Sequence, residues 1–283
     1  MSLAFIPSDA AMLAVQAGVV AAPRHPPELT WLRRVSGPVW AAIPIASIIG
    51  VIVAIRYLSA TATFLTYLAL IAVPILAAIA LGWGVRGVRL WGALAVVPLF
   101  AAAWASRTTL WGEGAATLLS ALSCVTLGVL LSAVTPPGWL KLGIVAMAAA
   151  DTWLVLSDLL QAPNATLIAA HPGSGLPQLQ SELFGSVSMG YGDLFVAGLL
   201  GAALARQRRG QWPAALLTLV LAGLFDLLFF VLNELPATVP VAMALIVGEL
   251  WSLWTRRRRR GDAEASACRR RSRRAGVTPR PTR

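Results

Sequence analysis

Three aspartates interrupt stretches that are otherwise apolar: Asp151 in AAADTWLVL, Asp193 in MGYGDLFVA and Asp226 in AGLFDLLFF. An acid near the bilayer centre costs ~2.5 to 3.5 kcal/mol on insertion scales, so an acid kept there marks a candidate for chemistry. Asp151 and Asp193 fall near the midpoints of two consecutive apolar runs, 140–160 and 183–205. Two close carboxyl groups do not both ionise cheaply; they share a proton and titrate as a pair, one acting as base and the other as acid. Hydrolysis of a peptide bond by water needs that division of roles. An ionised Asp takes a proton from water, and a protonated Asp hydrogen-bonds the carbonyl as it becomes tetrahedral. Gly190 and Gly192, on either side of Tyr191, leave room for another backbone beside Asp193. Cys124 and Cys268 form neither a disulfide framework nor a ligand spacing, and His171 lies in a loop with Pro172 and Gly173, so neither metal nor cofactor is expected.

The elements that position these acids must be membrane helices. Of 283 residues 58% are hydrophobic and 12% charged, with a mean hydropathy of +0.74. An all-α polytopic membrane protein is expected, with apolar runs at 39–55, 63–82, 88–105, 114–134, 140–160, 183–205, 212–232 and 236–254. Residues 1–22 hold Pro7, Asp9 and Gln16 and read as either a ninth span or an interfacial helix. The net charge of +11 is concentrated in 256–283, where 12 arginines stand against Asp262 and Glu264. This reads as a disordered cytoplasmic tail near anionic lipid headgroups, without specific nucleic-acid binding. Arg206, Arg208, Arg209, Lys141, Arg86 and Arg89 fall on the same side as that tail, and 161–182, without Lys or Arg, falls outside. The organisation expected is an N-terminal segment and cytoplasmic loop (1–35), a first bundle (36–138), a catalytic bundle (139–255) and the tail (256–283), in the cytoplasmic membrane of a prokaryote.

The three motif segments together resemble the presenilin and signal peptide peptidase family. Asp151 looks like the first catalytic Asp, Gly190-Tyr191-Gly192-Asp193 matches the GxGD motif, and Leu235-Pro236-Ala237-Thr238 resembles the PAL motif, with one span between the last two. Ala150 and Thr238 stand where the family carries tyrosine and leucine. The resemblance covers roughly 140–254 and implies a presenilin-like bundle of eight to nine helices. It also implies an intramembrane aspartyl peptidase with Asp151 and Asp193 catalytic and the two motif loops positioning substrate. Its substrates would be transmembrane proteins or signal peptides whose N-terminus is cytoplasmic.

Other readings remain. Met189 to Asp193 also resembles the prepilin peptidases, another GxGD family, in which Asp158 would be the first acid; it lies on the Asp151 face, ~10 Å nearer the outer interface. A transporter or scaffold would use Asp151, Asp193 and Asp226 as a proton or cation relay. Asp226 reads first as a structural polar contact or a cavity lining, Gly198 and Gly201 as helix-packing positions, Glu182 as an interfacial or helix-start acid, and Trp31, Trp111, Trp139 and Trp212 as interfacial belt or packing residues.

Overall fold

The computed structural model describes residues 5–25, 37–43, 46, 49–50, 53, 60–157, 165–166, 169, 173, 175–179, 182–207, 210–230 and 235–275. These form eight α-helices: α1 Phe5–Ala21, α2 Ala60–Ile79, α3 Val96–Ala105, α4 Leu110–Val134, α5 Pro137–Leu156, α6 Tyr191–Arg206, α7 Gln211–Phe225 and α8 Thr238–Ala275. Between α5 and α6 lie two antiparallel strands, β1 Glu182–Phe184 and β2 Val187–Met189, so the chain is mostly helical but not purely so. Five helices are long and apolar enough to cross a membrane: Ala62–Gly84, Leu110–Val134, Pro137–Leu156, Gln211–Leu228 and Thr238–Thr255. They mark the chain as a membrane protein. On α2, the residues Phe64, Leu68, Ile71, Ile75 and Ile79 recur every three or four positions and are all exposed, an outward stripe suited to lipid.

Two compact units divide the chain, Met1–Ala244 and Leu245–Arg283. In the first, α4 is the most buried of the five long helices and packs against α2, α3 and, most extensively, α6. Glycine makes the last contact: a Cβ at Gly128 would stand 2.5 Å from the Gly198 backbone, and one at Gly198 would stand 2.5 Å from the Cys124 carbonyl. Backbone therefore meets backbone where α4 and α6 cross, the small-residue packing that stands in for the hydrophobic effect in lipid. The hydroxyl of Thr126 on α4 donates to the Leu76 carbonyl of α2 at 2.7 Å, and Arg206, ending α6, donates to the carbonyls of Ser132 and Thr135.

Several expected boundaries differ. The run 183–205 is a hairpin followed by a helix of 16 residues, because Gly185, Ser186, Ser188, Gly190 and Gly192 disfavour helix over its first half. The hairpin turns on Gly185-Ser186 with Gly185 at φ 61°, where a side chain would be strained. Within 1–22 the helix α1 packs on α6 and α7, with Met12 and Val20 buried. The run 88–105 is a short apolar helix, Leu90–Ala105, which opens as a 3-10 turn. Residues 44–45, 47–48, 51–52 and 54–55, together with Trp31, Asp158 and His171, lie outside the described residues. In the second unit, α8 continues to Ala275 instead of giving way to disorder at 256, since Arg, Ala and Glu are good helix formers and no proline intervenes. There Trp251 and Trp254 contact each other, and the Arg258 guanidinium lies 3.6 Å from the Trp254 ring centroid, an interfacial arrangement of aromatic and snorkelling cation.

Candidate active site

Asp151 sits about one and a half turns before the end of α5, and Asp193 is the third residue of α6. The two helices pack on each other, and Asp151 lies close enough for its charge to act on Asp193. The sequence midpoints misplace Asp193 within its helix, because α6 starts at Tyr191. The late turns of α5 nevertheless bring Asp151 near the first turn of α6.

Each carboxylate is held by a loop motif. Gly190 caps α6, and its backbone N–H donates to Asp193 Oδ2 at 3.0 Å, while the Asp193 N–H donates to the Gly190 carbonyl at 2.9 Å. This is one arm of a capping box, in which an acid at the third helical position reaches back to the cap. Capping alone would account for an aspartate here; the approach of Asp151 gives it a second setting. A Cβ built on Gly192 meets nothing within 4 Å, so the second position of α6 borders open space, whereas the Asp193 carboxyl beside it is buried. From Leu194 to Ala205 every residue of α6 is buried except Phe195, and Asp193 is thus among the last positions on this helix before the buried packing begins.

Asp151 is held from the other side. Thr238 Oγ1 donates to Asp151 Oδ2 at 2.6 Å, and the Thr238 backbone N–H also binds this carboxylate. Thr238 opens α8, so Asp151 satisfies one of the amides that a helix start leaves unpaired. The preceding Leu235-Pro236-Ala237 forms a turn closed by Val239 N–H to the Pro236 carbonyl at 3.1 Å. The LPAT segment is therefore joined directly to the first aspartate, a contact across 87 positions of sequence.

Tyr191 faces α4: its hydroxyl hydrogen-bonds Ser123 Oγ at 2.7 Å, and its carbonyl accepts from Cys124 Sγ at 3.7 Å. It anchors the turn that carries Asp193. Glu113 Oε2 accepts from the Gly185 N–H at 2.7 Å and fixes the hairpin tip to the first turn of α4. Ser123 and Glu113 escape a reading of the sequence, since each is one polar residue on a long helix whose partner lies about 70 positions away. Asp226 does not join the pair; it ends α7 against the side chain of Asp9 on α1, with its Oδ2 buried and unpartnered. Glu182 belongs to β1 and starts no helix. Among the described residues no cluster of His, Cys, Asp and Glu suits a metal.

What the fold and site define is a helical membrane protein with two interacting carboxyl groups on adjacent helices. No family model, curated protein or solved structure matches the chain.

Proposed function

We propose that this protein is an intramembrane aspartyl peptidase, with Asp151 and Asp193 as its catalytic pair. The observation that carries the reading is the convergence of three sequence-distant segments. Asp151 on α5 and Asp193 on α6 interact, and the LPAT turn hydrogen-bonds the first of them.

In the reaction the ionised carboxyl removes a proton from water as the water oxygen bonds to the peptide carbon. The protonated carboxyl donates to the carbonyl oxygen, stabilising the tetrahedral diol. As the C–N bond breaks, the amine takes the proton held by one carboxyl while a hydroxyl of the collapsing diol gives its proton to the other, so the pair again holds one proton. Tyr191 anchors the start of α6 to α4 and so holds Asp193, and Thr238 of the LPAT segment fixes Asp151. The substrate must be extended at the scissile bond. The hairpin ending at Met189, one residue before Gly190, offers strand-edge amides and carbonyls for it. The presenilin-like arrangement, eight or nine spans, a cytoplasmic C-terminus in a prokaryotic membrane, and binding of the basic tail to anionic headgroups belong to the same proposal.

The test is incubation of the purified protein in liposomes with a library of transmembrane peptides whose N-terminus faces the Arg-rich side, with products read by mass spectrometry. Cleavage within or beside the apolar segment is expected. A second reading, proton-coupled transport, draws on the separate Asp9–Asp226 contact. Proton-driven uptake lost in Asp226→Asn, with no cleavage in the library, would favour it.

A further inference from the structure

The N-terminal helix α1 lies in the sequence far from every motif, yet it reaches the LPAT turn. Gln16, 1% exposed, donates from Nε2 to the Ala237 carbonyl at 2.9 Å across 221 positions of sequence. Its Oε1 is buried without a partner. The opposite amide orientation would set oxygen against the Ala237 carbonyl, so the donor assignment follows from the contact itself. A methionine would fill the same volume and leave no buried oxygen unpaired. What the glutamine adds is a single hydrogen bond, directed at the residue next to Thr238.

We infer that Gln16 is a positioning residue of the proposed peptidase, holding the LPAT turn so that Thr238 meets Asp151. The inference rests on the reading of the Asp151–Asp193 pair as catalytic. Its geometry is a relay of neighbours: Gln16 fixes the Ala237 carbonyl, and the adjoining Thr238 hydroxyl lies 2.6 Å from Asp151. The C-terminal end of α1, one turn beyond Gln16, is pinned by α6 and α7. A Cβ on Gly201 of α6 would stand 2.4 Å from the Val20 carbonyl, and Gln211 of α7 donates to the Pro23 carbonyl at 3.0 Å. The part of α1 that bears Gln16 therefore has little freedom to withdraw from the turn.

Two readouts test this. With a cleaved transmembrane peptide, Gln16→Met should lower kcat about tenfold, the effect of one lost buried hydrogen bond, with KM unchanged. Acting through Thr238, it should add nothing to Thr238→Val in the double variant; a fully additive double, or a change in KM alone, would overturn the inference. Independently of activity, Ala237→Cys should react with a membrane-permeant maleimide about tenfold faster when Gln16→Met is present, and an unchanged rate refutes the positioning role. Should Gln16→Met fold poorly, Gln16→Leu likewise removes the donor with a smaller apolar side chain. A wild-type protein that cleaves nothing defeats the peptidase reading, while the labelling rate still decides whether Gln16 holds the turn.

Discussion

At the scale of residues, Asp151 and Asp193 are held by different means, and the difference suits a pair that must divide acid and base roles. Asp151 receives a hydroxyl and an amide from Thr238, whereas Asp193 receives the amide of its own helix cap, Gly190. Thr238→Val removes the hydroxyl and keeps the shape; peptide cleavage should fall by about ten- to a hundredfold, measured as kcat, with the protein folded. Gly192→Ala should unfold at a temperature no lower than the wild type, because a Cβ there meets no neighbouring atom and alanine favours the helix. The acids, the glycines and LPAT are all legible in the sequence, because polar or helix-breaking residues in apolar runs stand out. Gln16, Ser123 and Glu113 are not, since the roles of these three depend on partners that only the packing of α1 and α4 brings near.

At the scale of elements, the site depends on the crossing of α4 and α6. Gly128 and Gly198 let the two backbones touch, and the same face of α4 presents Cys124 to the Tyr191 carbonyl. Gly198→Leu should destabilise the protein by at least ~1 to 3 kcal/mol, the usual effect of overpacking, seen as a lower unfolding temperature in detergent. The start of α6 shows why hydropathy misleads. The residues 183–205 are apolar enough to read as one helix, but Gly185, Ser186, Ser188 and Gly190 give the first part to a hairpin. Apolar content reports the solvent a segment prefers, whereas glycine and serine decide its backbone form. The hairpin moves Asp193 from a helix centre to a helix start, where one oxygen is tied to Gly190 and open space lies next to Gly192.

At the scale of the whole molecule, the membrane setting follows from composition and from the exposed apolar faces, and five helices among the described residues suffice in length to span it. The membrane orientation proposed here rests on the arginine distribution. Cysteine introduced at 283 should react with impermeant reagents only from the cytoplasmic side, and cysteine at 173 only from the outer side. Asp226→Asn should leave peptide cleavage unchanged, because Asp226 pairs with Asp9 and not with the candidate catalytic carboxyls. The central claim is that Asp151 and Asp193 work as one unit. Cleavage of a transmembrane peptide by liposome-bound wild-type, Asp151→Asn and Asp193→Asn proteins, all shown to be folded, tests it most directly. Activity in the wild type and none in either variant is the predicted result; cleavage that persists in either variant would contradict it.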